Sequence, residues 1–384
     1  MIVSPQAEVD IQAIQARFSA GAVQKGQAVR GRAEKLALRA MGRIPAPVAA
    51  ALARKLFADG DPARWKSLLG PDPSRLDPTT GLLLATGERL YRPMWTLPVP
   101  EARRQATHLA LEVAPNPRGD IHCRDTHIAA DPSAIAVRIF TPREVPAAPP
   151  PVCVFFHGGG GVIGDIAGHD PFCRELAGGL GAMVVSVAYR LAPEHPFPAG
   201  LDDACAAYRW VAANAAALGG DPARLALCGG SAGATLATTV ARRARDQGWP
   251  RPVLQLLFCP LTDLSPRFPS RETFADGFFL TRSLLDWFTD FYAPDPATRA
   301  DPWASPLLAE DLGDLAPAVV VTAGFDPLRD EGRAYAHRLE RAGNQVRYVC
   351  AQELVHSFEL MTGVVPAARR SLDRILAIAK AGLT

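Results

Sequence analysis

From about residue 118 onward, short apolar runs alternate with longer amphipathic ones. The apolar runs are Ala134–Phe140, Val152–Phe156, Ala182–Val187, Leu225–Cys228, Val253–Phe258, Ala318–Thr322 and Gln345–Cys350. Each is four to seven residues long and rich in Val, Ile, Leu and Phe, the length and composition of a strand covered on both faces. Between them, Leu201–Ala217, Ala232–Asp246 and Arg333–Ala342 carry helical periodicity. Strands alternating with helices predict an α/β protein with a mostly parallel central sheet covered by helices. In such sheets sites form beyond the carboxyl ends of the strands.

The flanks read differently. Residues 1–75 look helical and peripheral. Arg30–Arg43 is rich in good helix formers, Val48–Phe57 resumes after Pro45 and Pro47, and Asp59-Gly60-Asp61-Pro62 closes the stretch. Residues 76–112 hold two further helical stretches around Arg92-Pro93. Residues 262–305 break the α/β alternation and are rich in Phe, Trp, Asp and Pro. The expected organisation is therefore an N-terminal helical extension (1–75), an N-terminal cap segment (76–117) and an α/β domain (118–384) with a cap insertion at about 262–305.

Charge and cysteine usage narrow the class. The 384 residues carry a net charge of +2, too little to suggest nucleic acid. The charge is uneven: residues 1–75 hold 12 Lys/Arg against 6 Asp/Glu. That basic arm has two readings, a solvated helical face or a surface that docks on anionic membrane or on a second copy of the chain as a homodimer. Seven cysteines form no CxxC pair and no metal spacing, which fits a reducing compartment. No charged segment followed by an apolar stretch opens the chain, and no run of about 18 apolar residues follows. A cytoplasmic protein without a signal peptide or membrane span is expected.

Candidate chemistry lies where the predicted strands end. Ser231 sits in Gly229-Gly230-Ser231-Ala232-Gly233, between the strand Leu225–Cys228 and a helix. A Gly-x-Ser-x-Gly turn can be an incidental glycine-rich connection or a sharp turn that lifts a nucleophilic hydroxyl out of the backbone. The strand before it and the helix after it favour the second reading. A serine hydroxyl needs a base, and His356 is the histidine just past the last strand. The base needs an orienting acid, and Asp326 follows the strand ending at Thr322, with Asp330 as rival. The order Ser, Asp, His is one in which nucleophilic triads occur. Upstream, His157-Gly158-Gly159-Gly160-Gly161 lets backbone N–H groups approach a ligand without Cβ interference. No phosphate-loop lysine follows it, so it suits an oxyanion better, with Gly158, Gly159, Gly160 and Ala232 as donors and His157 holding the loop. No metal-ligand spacing is present, and no metal is expected. Phe274, Phe278, Phe279, Trp287 and Phe288 either line an acyl pocket or pack an amphipathic helix on the core.

These segments resemble the bacterial hormone-sensitive-lipase (family IV) carboxylesterases. The resemblance rests on His157-Gly-Gly-Gly160, Val162-Ile-Gly-Asp165, Tyr189-Arg-Leu-Ala-Pro-Glu194, the stretch Ala212–Pro222, the serine turn, Phe274-Ala-Asp-Gly-Phe278, Asp326-Pro-Leu-Arg-Asp330 and the His356 loop, in that family's order, over roughly residues 76–380. It implies an α/β-hydrolase fold with a helical cap and cofactor-free hydrolysis of short to medium acyl esters. It places the triad on Ser231, Asp326 and His356. The chain departs from the family pattern at Gly230, where an acid is usual, and at Ala234 and Ser357, where glycine is usual. At Gly161 an aromatic residue is usual, and its loss is expected to widen the substrate pocket. An amidase or formamidase with the same triad, or a non-catalytic binding protein on the same fold, are the alternatives.

Overall fold

The computed structural model describes residues 38, 40–56, 76–116, 119–143, 148–265 and 268–383. Most of the expected 1–75 extension, including the bulk of the Arg30–Arg43 helix, lies outside them. Among the described residues, helices α1 (Ala46–Leu56), α2 (Pro78–Leu90) and α3 (Val99–Val113) precede the sheet. The sheet region then runs β1 (Ile121–Ile128), β2 (Ile135–Pro142), β3 (Pro151–Phe156), α4 (Ile166–Leu180), β4 (Met183–Val187), α5 (Ala199–Asn214), β5 (Asp221–Gly230), α6 (Ala232–Asp246) and β6 (Leu254–Phe258). Three short helices follow, α7 (Pro269–Thr273), α8 (Arg282–Tyr292) and α9 (Pro296–Arg299). The chain closes with β7 (Ala318–Phe325), α10 (Arg329–Arg341), β8 (Val346–Val355) and α11 (Pro366–Ala381).

The strands form one eight-stranded sheet in the order β1-β2-β4-β3-β5-β6-β7-β8. β1 pairs antiparallel with β2, and β2 antiparallel with β4; from β4 to β8 every pairing is parallel. Every residue of β3, β4 and β6 is buried, because helices cover both faces of the sheet there. The alternation of side chains divides the core in two. Cys153, Phe155, Ala226, Cys228 and Leu256 face α4 and α11, where Phe172, Leu176, Leu372 and Ile375 meet them. Val152, Val154, Phe156, Leu227 and Leu257 face α5, α6 and α10, through Leu201, Tyr208, Leu236, Val240 and Leu339. Each fully buried Leu, Val or Phe contributes roughly 1.5–3 kcal/mol relative to exposure.

β1 escapes the apolar pattern for a physical reason. It is an edge strand whose interior reads His-Cys-Arg-Asp-Thr-His, with only Ile121 and Ile128 buried. Helix α4 is obscured by Gly168, Pro171, Gly178 and Gly179 but is well capped. The carboxylate of Asp165 accepts the Gly168 N–H at 2.6 Å, and Gly181 ends the helix at φ +64.

A third apolar cluster lies over the carboxyl ends of the strands. Leu97 and Ala102 from the N-terminal side, Val162 and Ile163 from the glycine loop, and Leu280, Leu284, Leu285 and Phe288 around α8 meet there. This cluster brings α3 and α8 together above the sheet.

Candidate active site

Ser231 stands at the junction of β5 and α6 with φ 54 and ψ −122, a region that non-glycine residues occupy only when their surroundings impose it. Its N–H donates to the Phe258 carbonyl of β6 at 2.8 Å, which ties the turn to the sheet. The flanking glycines are required by contact. A Cβ at Gly229 would lie 2.6 Å from the Ala234 nitrogen, and one at Gly233 would lie 2.6 Å from the Phe156 carbonyl carbon. At Gly230 only the Oε1 of Glu359 comes near, at 3.1 Å.

His356 follows β8 and Asp326 follows β7, neighbouring strands of the sheet. The Nδ1–H of His356 donates to Oδ2 of Asp326 at 2.8 Å, and both side chains are buried. The other carboxylate oxygen accepts the Leu328 N–H at 2.8 Å, which fixes the Asp326 rotamer. With Nδ1 donating, the Nε2 lone pair of His356 is free to take a proton. Burial works against charge on this imidazole, but the adjacent Asp326 charge and hydrogen bond, with Glu359 and Glu331 beyond, outweigh it and raise its pKa above the ordinary value. The rival acid is engaged elsewhere: Asp330 accepts the Ser270 N–H at 2.9 Å and the Arg329 Nε–H at 2.8 Å. Ser357 adopts φ 57 and ψ 29, the left-handed conformation that glycine takes without cost.

The glycine loop leads from β3 toward Ser231. Among the described residues, no backbone hydrogen bond engages the N–H groups of Gly158, Gly159 or Ala232. Gly158 and Gly159 share a cavity of about 360 Å³ with Ser231 and His356. Gly160 faces the Phe288 ring instead. His157 holds the loop: its Nδ1–H donates to the Gly158 carbonyl at 2.8 Å, and its ring stacks on Tyr189 at 4.4 Å. The Tyr189 hydroxyl donates to the His157 carbonyl at 2.7 Å. Burial, then the neighbouring His169, drives the His157 pKa down to about 3, so it remains a neutral hydrogen-bonding group.

The cavity walls are largely apolar and include Leu84, Trp95 and Leu109 of the N-terminal helical region, Phe155 of β3, Phe279, and Phe288 of α8. Three expected pocket residues lie elsewhere. Phe274 and Phe278 pack against each other and against Phe325, with ring centroids 5.2 to 5.7 Å apart, in the core beneath α7. Gly161 does not open the pocket, because the Tyr292 ring lies 2.5 Å from where its Cβ would be and already fills that space. Of that expected set, Phe279 does line the cavity.

Three residues were invisible to the motif reading. Arg103 of α3 donates to the Val162 and Ala192 carbonyls, each at 2.9 Å, and pairs with Glu194, joining the glycine loop to the Tyr189–Glu194 segment. Nothing in a polar stretch of helix marks it beforehand. Cys259 brings its thiol within 4.8 Å of a carboxylate oxygen of Asp326 and a ring nitrogen of His356. Burial holds that thiol well above its usual pKa and so protonated. Glu359, on the turn after His356, is buried beside the serine.

An enzyme with a serine nucleophile turn, a carboxylate-oriented histidine and a glycine-rich donor loop on a mostly parallel sheet belongs to the class of serine hydrolases. Residues 153–360 match the family described as alpha/beta hydrolase fold. The chain is 44% identical over 264 residues to Esterase LipI of Mycobacterium tuberculosis, covering 67% of this chain and 82% of that protein. It is 38% identical to the Ethyl acetate hydrolase of Pseudomonas putida, covering 74% and 90% respectively. Among solved structures, a thermostable esterase from Pseudomonas putida superposes with a TM-score of 0.76 at 37% identity, covering 79% of this chain and 97% of that one. The chain belongs to the α/β-hydrolase family, in its hormone-sensitive-lipase branch, and is a serine hydrolase of the carboxylesterase class. Among the described residues no helix is long and apolar enough to cross a membrane.

Proposed function

We propose that this chain hydrolyses carboxylic esters of short to medium acyl chains through an acyl-enzyme on Ser231. The observation that carries the reading is the His356–Asp326 hydrogen bond at 2.8 Å on the same cavity as the Ser231 turn. In this mechanism Ser231 Oγ attacks the ester carbonyl while His356 Nε2 takes its proton. Asp326 holds the imidazole in the tautomer that leaves Nε2 free and stabilises the imidazolium. The N–H groups of Gly158, Gly159 and Ala232 receive the oxyanion, Ala232 from the positive end of α6. His356 then protonates the departing alcohol, and water, activated by the same base, hydrolyses the acyl-enzyme.

Relatives named as a carboxylic ester hydrolase and an ethyl acetate hydrolase support esters over amides, and the largely apolar cavity suits an acyl chain. Residues 76–117 and about 262–305 act as a two-part cap in this reading, since both line or cover the cavity. Free cysteines throughout the described chain fit a cytoplasmic enzyme.

The test is hydrolysis of a p-nitrophenyl ester series from acetate to palmitate by wild type and Ser231→Ala. Turnover that is greatest on the shorter chains and falls to background in the variant is expected. Equal turnover by the two proteins would overturn the mechanism, and a preference for palmitate would overturn the chain-length assignment.

A further inference from the structure

Gly230 leaves a vacant side-chain position directly before the nucleophile, and a carboxylate from elsewhere in the chain sits over it. A Cβ at Gly230 would meet Glu359 Oε1 at 3.1 Å and nothing else within contact. Glu359 belongs to the single turn Phe358–Leu360 that follows His356. It is 3% exposed and lines the same cavity as Ser231 and His356. Its other oxygen, Oε2, is buried without any hydrogen-bond partner. An unpartnered carboxylate oxygen inside a protein is costly, and a helical turn does not need one.

We propose that Glu359 is a positioning residue for the base: its carboxylate, seated over the serine turn, sets how readily His356 accepts a proton and stabilises the imidazolium once formed. This rests on the reading of His356 as the base.

The groups that face Glu359 support this. His356 and Asp326 act on it from the loops after β8 and β7. The thiols of Cys228 in β5 and Cys259 after β6 also feel its charge, and burial keeps both protonated. His356 is thus the group nearby whose charge a carboxylate can change. Burial raises the Glu359 carboxyl to about 7. When ionised, the carboxylate and the imidazolium carry opposite charges, so each favours the charged form of the other. A negative charge at 359 favours the imidazolium, so removing it lowers the His356 pKa.

The experiment measures kcat/KM and kcat of the full chain on ethyl butyrate by pH-stat, from about pH 5 to pH 9, for wild type, Glu359→Gln and Glu359→Asp. In Glu359→Gln the acid limb is expected to move about one pH unit lower. At the alkaline plateau kcat is expected to fall roughly tenfold, because the imidazolium loses its second counter-charge. Glu359→Asp, which keeps the charge, should restore most of the wild-type limb. Superposable profiles for wild type and the glutamine variant would overturn the proposal, and so would a lowered melting temperature with an unmoved profile, which is the signature of a purely structural turn residue. Should the glutamine variant not fold, Gly230→Asp places a second carboxylate beside the first and must move the limb upward; an unmoved limb overturns the proposal equally. Persistent turnover in His356→Ala would instead remove the base itself, and with it the proposed mechanism, whereas a dead His356→Ala with unmoved 359 profiles removes this inference alone.

Discussion

Replacing Gly233 by alanine tests whether the nucleophile turn is held by backbone contact. The added methyl carbon would stand 2.6 Å from the carbonyl carbon of Phe156, and closer still to the carbonyl oxygens of Phe156 and His157. That is roughly 0.8 Å short of the 3.4 Å at which ordinary contact begins, and the obstacle is backbone that cannot rotate away. The first turn of α6 must therefore separate from the end of β3. Ser231 and the Ala232 N–H ride on α6, and Gly158 rides on β3, so the nucleophile and its donors move apart. Overpacking of this kind costs about 1–3 kcal/mol. A displacement near 1 Å at the reacting atoms costs on the order of 10² in rate. The assay is kcat/KM on p-nitrophenyl butyrate, normalised to active sites by phosphonate titration, alongside thermal unfolding. Gly230→Ala is the contrast, since its methyl meets only one carboxylate oxygen at 3.1 Å, and its stability should stay within about 1 kcal/mol of wild type. A Gly233→Ala enzyme with kcat/KM within about twofold of wild type and an unchanged melting temperature would refute the reasoning.

Asp326→Asn leaves the shape intact but lets the amide stabilise the wrong imidazole tautomer, so kcat should fall by about 10⁴. Asp330→Asn, which touches Ser270 and Arg329 rather than His356, should leave kcat within about tenfold of wild type; the reverse pattern would reassign the acid. Arg271→Met removes the guanidinium that pairs with buried Glu331 at 2.6 and 2.9 Å and ties the segment after β6 to α10. A buried carboxylate stripped of its partner should destabilise the protein by about 3–5 kcal/mol, read by urea unfolding at about pH 9, because burial raises the Glu331 carboxyl to about 7 and would leave it neutral at lower pH. A loss below about 1 kcal/mol would show that the N–H donors of Thr262 and Asp263 alone satisfy it.

The strands that carry the site were legible because they are buried on both faces. β3, the Leu225–Cys228 half of β5, β6 and β7 read as largely apolar runs, and the candidate nucleophile, acid and loop follow them. β1 was not legible, because an edge strand with one exposed face has no reason to be apolar. Ser231, Asp326 and His356 were legible as candidates from residue type and position, and the fold brings the last two within 2.8 Å of each other. The aromatic residues did not, since Phe274 and Phe278 satisfy the same hydrophobic preference in the core as they would in a pocket.

Gly161 shows the limit most clearly. The absence of a side chain predicts open space, yet the space beside a glycine belongs to whichever neighbour arrives there, and Tyr292 does. Gly230 poses the same question with a different answer, a carboxylate contributed from position 359. Local sequence alone determined the alternation of strand and helix, the strained serine turn and the order of the candidate groups, because backbone sterics and burial act over a few residues. Only the tertiary structure decided which acid meets His356, what fills the gaps left by glycine and which aromatics face the cavity, because those contacts join segments that are far apart along the chain.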